Sequence, residues 1–294
     1  MTKATSPRSE RRAAGYASGT KPSRAGRNLP IAIGVGLSLG ALVLASLSFR
    51  KEAFLGVLIV AICIAVWELR GGLARGKIYV PLLPSIVGAI TMLTASFLGG
   101  GQALTVCFGL TCISVLLWCV FDGQQDAIRD IAGGIFVAAY VPMLASFSSL
   151  LLAAPDGAKR VAVFIIVTVC SDIGGFAVGV LTGKHPMAPS ISPKKSWEGA
   201  AGSVVACVIG GVVTVTLVLG GSWWAGAVLG LAVVFSATVG DLTESTIKRD
   251  LGVKDLGNIL PAHGGFMDRL DSLLVSAPVT WVVLTLLVPF PIVS

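Results

Sequence analysis

Between residues 241 and 271 the chain reads DLTESTIKRDLGVKDLGNILPAHGGFMDRLD, the densest run of charge in the sequence after its amino terminus. Asp241, Glu244, Ser245 and Lys248 follow the spacing i, i+3, i+4, i+7, so a helix would present them on one face. Asp268 and Asp271 stand i, i+3 at the start of the next apolar stretch, where a helix N-terminus favours negative charge. A carboxylate at the edge of hydrocarbon is costly unless it is paired, solvated or metal-bound. Three carboxylates on two facing helix ends therefore suit Mg2+, a hard cation that takes oxygen ligands and keeps waters and substrate phosphates in its shell. Lys248, Arg249, Lys254 and Arg269 stand around them and suit phosphate oxygens. His263-Gly264-Gly265 lies between, where two glycines let backbone approach a ligand and offer N–H groups to an anion. The alternative for any one of these bases is a membrane-surface charge that snorkels and orients a helix.

Two further segments carry polar chemistry. GKHPMAPSISPKKSWEG, from Gly183 to Gly199, is rich in Pro and Ser and holds Lys184, Lys194 and Lys195. Pro186, Pro189 and Pro193 predict an extended path that would present its lysines to a polyphosphate, or would simply be a basic loop on the membrane's positive side. Trp197 reads as an interface anchor. Asp172 falls inside an apolar stretch, and an ionisable residue at such depth is a functional candidate by default; a structural hydrogen bond to a neighbouring helix is the alternative. Glu68, beside Trp67, reads as a helix-end charge near Arg70. The six cysteines, Cys63, Cys107, Cys112, Cys119, Cys170 and Cys207, all lie in apolar stretches without a CxxC pair and read as small buried hydrophobes.

The elements that must hold these groups are membrane helices. Only 13% of the 294 residues are charged and 54% are hydrophobic, with mean hydropathy +0.87, whereas a soluble domain is about 25% charged. Runs near 20 apolar residues predict an all-α, polytopic transmembrane helix bundle of about nine spans: 30–48, 53–69, 79–98, 103–121, 134–154, 161–182, 200–220, 223–245 and 272–292. Residues 1–28 carry seven bases against the single acid Glu10 and read as a disordered basic tail, a pattern that a transit peptide shares. With that tail in the cytoplasm and the spans alternating, every Lys and Arg except Arg50, Lys51, Lys159 and Arg160 falls on the cytoplasmic side, as the positive-inside rule requires. The expected organisation is a tail (1–28), N-terminal transmembrane helices (29–158) and a C-terminal catalytic transmembrane region (159–294). Polar groups concentrate on the face where nucleotides are found.

The pattern Ser245-x-Ile247-Lys248-Arg249, Lys254-Asp255-x-Gly257 and Leu260-Pro261-x-His263-Gly264-Gly265-Phe266-x-Asp268-Arg269-Leu270-Asp271 resembles the C-terminal signature of phosphatidate cytidylyltransferases, also called CDP-diacylglycerol synthases. Ser192-Pro193-Lys194-Lys195-Ser196-Trp197-Glu198-Gly199 is similar to a loop of that family, and so is Asp172-x-Gly174, with Ile173 and Phe176 where the family has Thr and Tyr. The resemblance covers about the last 125 residues. It implies transfer of CMP from CTP to phosphatidic acid, giving CDP-diacylglycerol and pyrophosphate in phospholipid biosynthesis. It also implies a membrane homodimer among membrane lipids, dependence on Mg2+ with K+ as a second cation, and a metal site at Asp241, Asp268 and Asp271. On this reading Lys248 joins the catalytic set. Lys194, Lys195, Arg249, Lys254, Arg269 and the His263-Gly264-Gly265 turn bind phosphates, while Asp172 and Ser192 line the substrate cavity. No nucleic-acid partner is expected, and the compact loops suit a bacterial inner membrane with the site facing the cytoplasm. A transporter, another lipid phosphotransferase and an inactive membrane subunit are the rival classes. The sequence shows no internal repeat such as a transporter would carry, and apart from Asp172 its charges stop near the membrane edges.

Overall fold

The computed structural model describes residues 29–122, 126–188, 192–257, 259 and 264–289. The order is α1 (Leu29–Phe49), α2 (Lys51–Arg75), α3 (Leu82–Asp122), α4 (Ala127–Ala138), a π-helical turn (Ala139–Met143), α5 (Leu144–Ala153) and α6 (Gly157–Thr182). A short hairpin follows, β1 (Pro186–Ala188) and β2 (Ser192–Ser196), then α7 (Trp197–Leu219), α8 (Trp223–Asp250), a 3-10 turn (Met267–Arg269) and α9 (Asp271–Leu287). The all-α expectation holds apart from the hairpin. Among the described residues six helices are long and apolar enough to cross a membrane, with α4, the π turn and α5 counted as one.

Helix α3 is two helical arms joined at a kink. Gly100 has φ 69 and ψ −159, far from helical values, a left-handed backbone that only glycine adopts at little cost. The chain folds back there. Gly88 on the first arm lies against Thr111 on the second, whereas in a straight helix they would be about 34 Å apart. The predicted spans 79–98 and 103–121 are these two arms.

The bundle is lined with small residues and coated with large apolar ones. Ser146, Ser149, Ser276 and Thr280 are fully buried, while Phe121, Leu181 and Leu217 are among the many large side chains left exposed. That inversion of a soluble surface suits lipid outside and close backbone packing inside. Helices α6, α7, α8 and α9 pack in chain order, and α5 packs against both α3 and α9.

The two ends of the bundle differ. At one end Lys51 donates to the carbonyls of Ala154 and Pro155. At the same end buried Arg160 pairs with Asp156 at 2.7 Å and donates to the carbonyls of Leu284 (3.1 Å) and Val288 (2.8 Å), closing the end of α9. At the other end lie the last turns of α2 and α8, the start of α9 and the hairpin, and there the acids and bases gather.

Candidate active site

Helix α8 keeps its amphipathic last turns as its spacing predicts. Lys248 Nζ lies 2.8 Å from Glu244 one turn earlier and 2.8 Å from Asp268 Oδ1, and the Ser245 hydroxyl donates to Asp241 Oδ1 at 3.3 Å. Asp268 sits in the 3-10 turn just before α9, and its Oδ2 accepts the Gly265 N–H at 2.9 Å. Asp271 opens α9, where its Oδ1 accepts the Ser272 N–H at 2.7 Å. Gly240 makes this meeting possible. A Cβ there would lie 3.0 Å from the Asp271 carbonyl carbon and 3.2 Å from Ser272 Cα, so only glycine lets α8 and the start of α9 approach so closely.

The hairpin delivers Lys195 to this cluster, with Nζ 2.6 Å from Asp241 Oδ2. Strands β1 and β2 pair antiparallel, Pro186 opposite Ser196 and Ala188 opposite Ser192, consistent with the extended path that the prolines favour. Glu198 closes its base, accepting the N–H groups of Lys184 and His185 and bonding the His185 ring at 2.6 Å. Ser196 caps α7 by accepting the Gly199 N–H at 3.1 Å, a side-chain oxygen meeting an orphan donor. Asp172 is exposed on α6, and its charge is felt together with those of Asp241, Lys195 and Arg269.

The cluster holds more acid than base. Glu244 is 1% exposed and its Oε1 has no hydrogen-bond partner, while it also abuts Asp268 and Asp271. Burial alone would raise the Asp268 carboxyl, but the hydrogen bonds from Lys248 and the Gly265 amide outweigh it and hold that group below its ordinary value. Among the described residues no three carboxylate, imidazole or thiol groups converge on one point. Mg2+ seldom needs such a cage, since one or two carboxylates plus phosphate oxygens commonly hold it. The hard-oxygen donor set, its excess of negative charge and the unpartnered Glu244 oxygen fit such an ion.

Other predicted site residues take these places. Arg249, Lys254 and Arg269 are exposed around the cluster, and Ser192 begins β2. Gly264 has φ 84, and Gly265 is buried against Asp268. His263 and the side chain of Lys194 lie outside what is described. A separate cavity of about 500 Å³, lined by Arg70, Tyr79, Trp118, Asp122 and Asp130 among others, contains none of the cluster.

Comparison with known proteins supplies a family. Residues 31–287 match the model of the cytidylyltransferase family. The chain belongs to that family. A Mycobacterium bovis protein named phosphatidate cytidylyltransferase is 40% identical over 91% of this chain and 92% of its own length. A Mycobacterium leprae protein of the same name is 41% identical over 90% of each chain. A Brucella suis protein, also of that name, is 37% identical over 50% of this chain and 53% of its own.

Within this cytidylyltransferase fold the sequence reading omitted three residues that the structure brings to the site. Glu244 was placed on the right face but given no role. Glu68 reads as a helix-end charge, yet it is 2% exposed and accepts the Met267 N–H at 2.8 Å. Tyr140, on the π-helical turn, has a buried hydroxyl with no partner and feels the charges of Asp271, Glu244 and Asp241. An acid in an apolar helix was the one available signal for Glu68; for Tyr140 local sequence offered none.

Proposed function

We infer that this chain is a phosphatidate cytidylyltransferase, an integral-membrane nucleotidyltransferase that moves CMP from CTP to phosphatidic acid. One observation carries the reading. Lys248, Gly265 and Asp268 of the signature join Glu244 in one acid and base cluster at one end of a lipid-suited bundle, in a chain so similar to proteins of that name.

A phosphate oxygen of phosphatidic acid attacks the α-phosphorus of CTP, and the α–β anhydride bond breaks to release pyrophosphate. The nucleophile is already an anion, so the obstacle is repulsion between two polyanions rather than a missing base. Magnesium would be held by one or two of the carboxylates Asp241, Asp268 and Asp271 together with substrate oxygens and would supply charge neutralisation, and K+ is proposed as a second cation. Lys195 reaches the cluster from the hairpin, with Lys194 beside it in the chain, and both are assigned to the β- and γ-phosphates. Lys248, Arg249, Lys254 and Arg269 meet phosphate oxygens from α8, the loop and the 3-10 turn, with the His263-Gly264-Gly265 backbone. Lys248 also orients Glu244 and Asp268. Asp172 and Ser192 line the cavity. Positioned cations of this kind act most strongly where water is excluded.

We propose nine crossings, reached by dividing α3 at Gly100 and adding α1 and α9 to the six long helices. The N-terminus is then cytoplasmic. Three of the four bases assigned to the outer side, Lys51, Arg160 and Lys159, lie on or beside the end closed by Asp156 and Ala154, opposite the cluster, which supports a site facing the cytoplasm of a bacterial inner membrane. A homodimer is proposed on the resemblance alone.

The deciding experiment is transfer of labelled CMP from CTP to phosphatidic acid in detergent micelles, with and without Mg2+ and with an ether-lipid acceptor in parallel. Metal-dependent labelled CDP-diacylglycerol is the expected product. Folded protein that labels neither lipid overturns the reading.

A further inference from the structure

Glu68 is a buried carboxylate with no basic partner among the described residues. It lies on α2, 199 positions before the residue it holds. Oε2 accepts the Met267 N–H at 2.8 Å. The amides of Phe266 and Ile259 also face the carboxyl group, and among the described residues Oε1 has no hydrogen-bond partner. Burying a carboxyl group without partners for both oxygens is costly. Packing α2 would be served more cheaply by Leu or Met, so the carboxyl group is there for what it faces.

It faces backbone shaped to receive it. A Cβ on Gly257 would lie 2.8 Å from Glu68 Cγ and nearer still to the carboxyl. A Cβ on Gly265 would lie 3.1 Å from Glu68 Oε2 and 2.9 Å from the Gly257 nitrogen. Gly257 and Gly265 thus both stand against the carboxylate, with the Met267 N–H pointing in. Its last contact, Met267, opens the 3-10 turn that carries Asp268 and Arg269. From there the connections run on: Asp268 to the Gly265 amide and Lys248, and Lys248 to Glu244.

We propose that Glu68 is the positioning residue of the active-site loop, a carboxylate from the N-terminal half that gathers Gly257, Gly265 and Met267 around itself and so fixes where Asp268 stands. It touches no substrate. The assignment rests on the function inferred above only for the part of its test that reads turnover.

The test uses the full chain in detergent, comparing wild type with Glu68→Gln and Glu68→Asp. Glutamine keeps the volume but turns one acceptor into a donor aimed at amide N–H groups. Hydrogen exchange is read first, without metal. Amides 264–267 should exchange at least about 10-fold faster in Glu68→Gln, with α6, α7 and α8 unchanged, since local opening is reported region by region. In CMP transfer the half-saturating Mg2+ concentration should rise about 10- to 100-fold, with kcat partly recovered at high Mg2+, and Glu68→Asp should fall between. Wild-type exchange at 264–267 in Glu68→Gln overturns the proposal whether or not the chain transfers CMP. An inactive wild type with the exchange change present sinks the functional reading and leaves the positioning role standing. If Glu68→Gln does not fold, Gly257→Ala, which presses on the carboxylate from the loop side, must show the same local loss of protection; unchanged exchange there, or global unfolding of both variants, overturns it.

Discussion

Lys248 has three protons to donate, and two carboxylates already take them in the absence of substrate. The cluster is therefore organised before a nucleotide arrives, and its charge excess is held by burial. Asp268→Asn should remove a metal ligand and one partner of Lys248, lowering turnover by more than about 100-fold, equivalent to roughly 3 kcal/mol of transition-state stabilisation, with the protein still inserted; retained turnover would exclude Asp268 from the metal site. Glu244→Gln acts in the opposite sense on stability. It relieves the crowding of a buried carboxyl group against those of Asp268 and Asp271, so the melting temperature without metal should rise by about 2–4 °C, the response to roughly 1 kcal/mol in a chain of this size, while Mg2+ dependence weakens; a lower melting temperature would show that the pair with Lys248 is needed for folding. Acid provides a third check. The folded-state Asp268 carboxyl lies below its ordinary value, so the stabilisation it brings is fully present above the unfolded value and is lost as pH falls through the folded one. Thermal unfolding followed from pH 6 down to roughly pH 3 should show a steeper late loss in wild type than in Asp268→Asn.

At the scale of elements the site depends on how closely two helices approach. Gly240→Ala would place a methyl group about 3 Å from the Asp271 carbonyl carbon, force α8 from the start of α9 and separate Asp241 from Asp271. A cost of about 1–3 kcal/mol in stability and a fall in kcat larger than any change in the KM for CTP are expected from kinetics and thermal unfolding; unchanged kcat would mean that spacing at this crossing is not critical. This is also where the reach of sequence reading is clearest. The shared face of Asp241, Ser245, Glu244 and Lys248 was legible because helical period is a local property. The two arms of α3 were legible as separate apolar runs because Gly99, Gly100 and Gly101 interrupt them. Lys195 was assigned to phosphate, and its actual neighbour in the structure is Asp241. The place of Glu68 in the site was not legible, because it comes from contact with Met267, 199 positions away, which no local period records.

For the whole molecule, the contact between Glu68 and Met267 and the packing of α5 on α9 make the C-terminal region dependent on the N-terminal helices. Residues 159–294 expressed alone should insert without transferring CMP, and co-expression with residues 29–158 should restore transfer; activity in the isolated C-terminal piece would remove that dependence. The latch at the far end has a different consequence. Arg160 holds the carbonyls of Leu284 and Val288, and from there α9 runs back 17 residues to Asp271, about 25 Å at helical rise. The helix behaves as a ruler hung from one surface of the bilayer, and its length sets how deep below the other surface the headgroup chemistry takes place. One residue added or removed within α9 would shift that depth by about 1.5 Å and turn Asp271 by about 100°, so the distance between the faces of the protein is itself part of how a water-soluble nucleotide and a lipid phosphate are brought to the same level.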